Sequence, residues 1–114
     1  MPLIEIKKKV PKVWGKELWL VNCRKYCGKL LMLNKGSVSS YHYHMVKQET
    51  FYCLKGLVKL VIGEIEYQLT PDNSPITILP KEKHKFEGVT DAVILEVSTM
   101  HRDDDVVRLT ESHA

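Results

Sequence analysis

The sequence predicts an all-β fold, a jelly roll or a related small barrel, and three observations carry the prediction. Apolar residues fall in short runs, Gly, Pro, Asn and Asp close almost every run, and the three-and-four spacing of an amphipathic helix is hard to find. Turn signals return about every 8 to 12 residues, the rhythm of a sandwich or barrel. Closure or two-sheet packing disposes of the exposed edges that such a chain would otherwise present.

In chain order the runs are ELWLVN (17–22), GKLLMLNKG (28–36), SVSSYHYH (37–44), ETFYCLKG (49–56), LVKLVIG (57–63), EIEYQLT (64–70), PITILP (75–80), HKFEGV (84–89) and AVILEVST (92–99). In KLVIGEIEYQL apolar and polar residues largely alternate, and Gly63 is placed for a tight hairpin. Pro71, Pro75 and Pro80 stand at run boundaries, where strands tolerate proline. Ahead of the first run, Lys7, Lys8, Lys9 and Lys12 surround Pro11, which is expected to break regular structure in a solvated arm; LIEI (3–6) is short and β-prone, able to join a partner's sheet edge. Asp103, Asp104 and Asp105 are expected to form a turn or cap before VVRL.

With 114 residues the chain is short for two cores, so residues 1–114 are read as one domain, 1–13 an arm or edge strand and 14–109 the barrel. A composition 44% hydrophobic and 27% charged excludes a disordered tail. No apolar run approaches the ~20 residues of a membrane-spanning helix, and no signal peptide is visible, so a cytoplasmic location is expected. The net charge of +3 is too small for a nucleic-acid or membrane-surface binder, and neither partner is expected. Cys23 and Cys27 are not spaced as C-x-x-C, and with Cys53 they are read as reduced, mostly buried thiols.

The chemistry concentrates in GSVSSYHYHMVKQETFYCLKG (36–56). In a strand, His42 and His44 at i and i+2 project from the same face, about 6 to 7 Å apart. MVKQ then makes a short connection and ETFYCLKG returns antiparallel, bringing Glu49 beside the imidazoles. Two imidazoles and a carboxylate on a rigid sheet form a ligand set for a divalent first-row metal with positions left open. His84, in ILPKEKHKFEG, begins a later strand able to cross the same barrel mouth, whereas His101 and His113 lie outside these stretches and are expected to be exposed.

Gly36, His42, His44, Glu49 and Gly56 reproduce the spacing G-x5-H-x-H-x4-E-x6-G, and in this the chain resembles the cupin superfamily. ITILPKEKHKF resembles the second cupin motif through Pro80 and His84, with one residue fewer between them and no glycine. The resemblance covers roughly residues 14 to 109 and implies a small jelly-roll barrel in which His42, His44, Glu49 and His84 hold one metal, with Gly36 and Gly56 in turns. Ligand type narrows that metal to Mn, Fe, Co, Ni, Cu or Zn.

A narrower likeness runs through VWGKELWLVNCRKYCGKLLMLNKGSVSSYHYH and HKFEGVTDAVILEVSTMHRDDDVVRL, which look like the opening and close of the cupin domain of type II phosphomannose isomerases. That family carries an extra histidine where this chain has Tyr43, and a shorter step from the second histidine to the glutamate. The likeness implies a sugar or sugar-phosphate isomerase or epimerase in which the metal polarises the carbonyl and hydroxyl oxygens of an open-chain sugar. Glu96 would be the catalytic base by resemblance, or an outward strand glutamate. Lys16, Lys29, Arg102 and Arg108 are candidates for phosphate or hydroxyl contacts, or plain surface cations. An Fe(II)-dependent dioxygenase and a non-catalytic sugar-binding or regulatory cupin are the alternatives. A homodimer is the expected assembly.

Overall fold

The structure, a computed structural model, describes residues 8–114. LIEI, offered above as an edge strand, lies outside the described residues. Each apolar run has become a strand: β1 (Lys8–Lys12), β2 (Gly15–Asn22), β3 (Cys27–Leu33), β4 (His42–His44), β5 (Glu49–Lys55), β6 (Val58–Ile62), β7 (Ile65–Leu69), β8 (Ile76–Ile78), β9 (His84–Gly88), β10 (Ala92–Ser98) and β11 (Val106–Arg108). They form two antiparallel sheets, one of six strands in the order β1-β2-β3-β10-β5-β8 and one of five in the order β11-β4-β9-β6-β7. This is a small all-β jelly roll. Among the described residues no helix is long and apolar enough to cross a membrane.

Two strands depart from the sequence reading. Pro11, expected to break regular structure, lies inside β1 and stands opposite Lys16 of β2. The strand tolerates it because β1 is the edge of its sheet, where a missing backbone donor interrupts no second ladder. The acidic cluster does form one turn of 3-10 helix, Asp103–Asp105, but VVR continues from it as β11 and pairs with β4. Within SVSSYHYH only His42–His44 is strand; the residues before it are tied down singly, Ser39 N–H donating to the Phe86 carbonyl at 2.9 Å and Val38 bridging His113. Gly36 and Gly56 take left-handed φ values of +83° and +85°, and a Cβ at Gly56 would stand 2.3 Å from the Asp91 carbonyl oxygen. Only glycine fits there.

The inward face of the six-stranded sheet changes character along the strands, and this places the site. Leu33 faces Ala92 and Leu31 faces Ile94, all buried against Val58, Leu60 and Phe86 of the other sheet. The next inward row is Trp19, Lys29, Glu96 and Phe51, and the one beyond it is Cys27, Ser98 and Glu49. The barrel is therefore packed with hydrocarbon at one end and lined with polar groups at the other. Outward positions run the opposite way: Leu18, Leu30, Leu95 and Tyr52 form an uncharged row across four strands. Cys23, Cys27 and Cys53 are all free thiols, the latter two buried.

Candidate metal centre

A cavity of about 350 Å³ opens at the polar end, and His42, His44 and Glu49 line it. One ring nitrogen from each of His42, His44 and His84 lies within 4.8 Å of the other two. Strand register brings them together: alternation puts His42 and His44 on one face of β4, and β4 pairs with β9 so that His42 stands directly opposite His84. Glu49, first residue of β5 on the facing sheet, reaches over with Oε2 3.3 Å from His44 Nε2 and Oε1 3.6 Å from His84 Nε2. Three of the four residues named from the sequence thus converge, and the fourth, Glu49, closes against His44 and His84.

The hydrogen bonds behind the rings fix their orientation. His42 Nδ1 lies 2.7 Å from the Ser40 carbonyl oxygen and His84 Nδ1 lies 2.8 Å from that of Glu82. A carbonyl only accepts, so in both rings Nδ1 carries the proton and Nε2 keeps its lone pair for the cluster. Behind His44, Nδ1 is 3.4 Å from a carboxylate oxygen of Asp105, a contact too loose to be a hydrogen bond. Asp105 is itself pinned, accepting the Val46 and Lys47 backbone N–H groups at 2.8 and 3.1 Å. His44 Nδ1, Glu49 Oε2 and His84 Nε2 are buried without any hydrogen-bond partner. Buried polar atoms left so are costly, and a lone pair on Nε2 and a carboxylate oxygen aimed at one point are what a divalent ion would satisfy. The donor set fits a divalent first-row metal.

Burial lowers the pKa of His42 to about 3, with the neighbouring His84 adding to the effect, and that of His44 to about 4 against the pull of Glu49. Burial opposes ionisation of Glu49, but His84 and Lys47 outweigh it and hold its carboxyl at about 2. All three groups are therefore in their metal-ligating forms at neutral pH. The sign for stability follows. Each histidine has a folded pKa below its unfolded value of about 6.5, so the unfolded chain takes up protons first and stability falls as pH drops below 6.5. At about 1.4 kcal/mol per pKa unit, the two rings cost the metal-free protein on the order of 3 kcal/mol between pH 7 and pH 5. Urea unfolding in the presence of chelator at the two pH values measures it; a midpoint unchanged across that interval contradicts the burial argument.

The shortened turn of the second motif is closed from within. Lys81 adopts φ +68°, its N–H donates to the His44 carbonyl at 2.6 Å, and the Glu82 carboxylate caps the Leu79 N–H at 2.8 Å. A non-glycine residue in the left-handed region costs roughly 1–2 kcal/mol. The turn accepts that strain and keeps His84 in register.

Beside the triad lies a buried charged layer. Glu96 points inward, 3% exposed, with Lys47 Nζ 2.6 Å from its Oε2 and Ser98 Oγ donating to the same oxygen at 3.1 Å. Burial and then the nearby Glu49 raise the Glu96 pKa, with Lys47 opposing them; the Lys47 pKa is in turn raised, its carboxylate neighbours outweighing its burial. Lys29, weighed above as a surface cation, is instead buried, between Glu17 at 3.4 Å and the Trp19 ring at 4.1 Å, because its position in β3 alternates inward with Cys27 and Leu31. His101 is also not the exposed residue expected. It lines the cavity, its Nδ1 3.0 Å from Lys29 Nζ and its Nε2 2.8 Å from Asp103, and burial with the Lys29 charge lowers its pKa. His113 is exposed. Lys16 and Arg102 stay outside the cavity, Arg102 pairing with Asp104 at 3.0 Å on the surface, whereas Arg108 lines it.

Sequence reasoning passed over Lys47 and Asp105. Lys47 was read as part of a plain connection and Asp105 as one of three cap residues; neither position carries a local pattern that separates it from a surface charge. For Lys29 the signal was present, since alternate inward positions in CGKLLML include it.

Solved structures share this architecture at low sequence identity. KdgF from Halomonas sp. superposes with a TM-score of 0.72 at 14% identity, over 78% of this chain and 81% of that one. The capsular polysaccharide assembling protein CapF from Staphylococcus aureus matches with a TM-score of 0.79 at 18% identity, over 94% of this chain and 32% of that one. The chain has the cupin fold. Oxalate decarboxylase from Bacillus subtilis gives a TM-score of 0.78 at 10% identity, covering 90% of this chain and 30% of that one. The chain therefore spans about a third of the CapF and oxalate decarboxylase chains. None of these three is a phosphomannose isomerase, and they lend that narrower likeness no support. No protein-family model matches the sequence, and no curated protein matches it.

Proposed function

We propose that this cupin is a metal-dependent enzyme acting on a sugar or sugar phosphate, by isomerisation or epimerisation. One observation carries the reading: three imidazoles and Glu49 converge at the floor of a cavity whose adjoining wall is a buried acid–ammonium pair, Glu96 with Lys47. Similarity to a protein named for capsular polysaccharide assembly supports a carbohydrate ligand.

His42, His44, Glu49 and His84 would hold the ion. When bound, a divalent ion supplies Lewis-acid polarisation of adjacent oxygens of an open-chain sugar. The rest of the chemistry falls to the chain's own groups. Both Lys47 and Ser98 engage Oε2 of Glu96, leaving Oε1 for a ligand in the cavity. Burial makes that carboxylate a stronger base than one in water, and the Lys47 ammonium keeps it ionised. Glu96 takes the proton from the carbon beside the carbonyl and returns it to the neighbouring carbon on the same face of the enediolate, while the proton of the adjacent hydroxyl passes to the former carbonyl oxygen. Lys47 and Ser98 hold Glu96 in place.

Metal-loaded protein incubated in D₂O with aldoses, ketoses and their phosphates is expected to interconvert one pair and to place deuterium at the exchanged carbon, read by NMR. Glu96→Gln should lower kcat by about 100-fold or more with metal content unchanged, the usual range for a general base. Oxygen consumption by the iron-loaded protein without deuterium uptake would favour the dioxygenase reading instead. Ligand-induced shifts with neither reaction would favour the binder.

Pairing of two copies belongs to the same reading. The outward row of Leu18, Leu30, Leu95 and Tyr52 carries no charge until it ends at Lys9 on β1, and antiparallel sheets pack face to face through such rows. A homodimer is expected in light scattering at micromolar concentration; a monomer there removes it.

A further inference from the structure

We infer that the ligand of this cavity carries an anionic group, a carboxylate or a phosphate, and that Arg108 is the side chain that binds it; the inference rests on reading the histidine triad as a metal centre. Arg108 stands opposite His42 in the β11–β4 ladder, and His42 stands opposite His84 in the β4–β9 ladder. Residues directly opposite one another in antiparallel strands project from the same face with Cβ atoms about 5 Å apart. Arg108 is thus the β11 end of a row whose next two members are candidate ligands, and it lines the same cavity. Arg108 is exposed whereas His44 and His84 are buried, so the guanidinium lies nearer solvent than those imidazoles.

Charge pairing singles Arg108 out from the other cations around the cavity. Lys12 and Lys29 face Glu17 at 4.0 and 3.4 Å, Lys47 faces Glu96 at 2.6 Å, and Lys8 rests over the Trp19 ring at 4.6 Å. Among the described residues Arg108 has no carboxylate partner and no side-chain hydrogen bond. The buried and half-buried groups balance without it: the ammonium groups of Lys29 and Lys47 and a divalent ion offset Glu17, Glu49, Glu96 and Asp105. The Arg108 charge is left over once the centre is loaded. A guanidinium offers a planar fork of donors matched to a carboxylate or a phosphate, and a neutral sugar leaves that fork unsatisfied. Lys8, which also lines the cavity and has no carboxylate within salt-bridge distance among the described residues, adds to the positive potential that draws an anion in.

The test uses full-length protein loaded with cobalt(II), whose visible absorption reports ligands reaching the centre. Sorbitol, gluconate and sorbitol 6-phosphate are titrated separately; the first two differ only in a hydroxymethyl against a carboxylate. Gluconate or sorbitol 6-phosphate is expected to change the spectrum at a concentration at least about tenfold lower than sorbitol does. Whichever anion does so identifies the source of the charge. Arg108→Gln should remove that preference with cobalt stoichiometry unchanged, and Arg108→Lys should restore part of it. Equal responses to all three compounds, or an undiminished preference in Arg108→Gln, would overturn the inference. Failure to retain cobalt would overturn the metal reading separately. The anion question then passes to backbone amide shifts of the metal-free protein, where gluconate or sorbitol 6-phosphate moving the β4 and β11 signals in the parent but not in Arg108→Gln upholds Arg108, and no movement sinks it.

Discussion

Replacing His42 and His44 together by alanine lowers the metal content of the purified protein from near one ion per chain to a tenth or less. The double variant removes two of three converging imidazoles and leaves His84 with Glu49, too few donors for a tetrahedral or octahedral ion at ordinary cellular supply. The remaining Nδ1–H bonds of the wild-type rings, to Ser40 and behind His84 to Glu82, hold the donors before any ion arrives, so affinity depends on little reorganisation. Mass spectrometry on untagged protein measures the outcome, with circular dichroism to show that the strands remain. Parent protein that stays empty after addition of manganese, iron, cobalt, nickel, copper or zinc contradicts the metal centre outright.

The largest effect on stability is expected at Lys47. Lys47→Ala leaves Glu96, 3% exposed, without its 2.6 Å counter-charge and deprives Glu49 of a cation at 3.9 Å. Breaking a buried pair from one side costs about 3–5 kcal/mol, a large part of the 5–15 kcal/mol that keeps a domain of this kind folded. Removing both charges, as Lys47→Met with Glu96→Gln, should recover most of the loss, because no uncompensated carboxylate then remains. The loss should also be smaller in metal-loaded than in chelator-treated protein, since a bound divalent ion adds positive charge beside Glu49. Denaturant unfolding of the three proteins with and without chelator separates these effects; a single variant within 1 kcal/mol of the parent would show that the pair contributes little.

The strands were legible because periodicity and turn residues are local. ELWLVN, ETFYCLKG and AVILEVST each carry their own boundaries, and each appears where its residues place it. β11 was not legible as a strand, and β1 only as one of two alternatives for residues 1–13, for a reason that is not local. A proline among lysines and a VVR step after three aspartates become strands only when β2 and β4 offer an edge to pair with. The histidine spacing was equally local: i and i+2 on a strand share a face whatever the rest of the chain does.

By itself the sequence determined the all-β class, the His42–His44 pincer and the return of Glu49, since all three follow from strand alternation over a short stretch of chain. Only the tertiary structure decided that Lys47, Glu96 and Asp105 are interior, that His101 lines the cavity and that Arg108 joins the histidine row. A charged side chain is buried or exposed according to whether a counter-charge waits on a strand far away in sequence. Glu17 meets Lys29 across the β2–β3 ladder of one sheet, whereas Glu96 meets Lys47 only when β10 pairs with β5 and brings the connection before β5 beside it, a meeting that nothing in the residues around Lys47 announces.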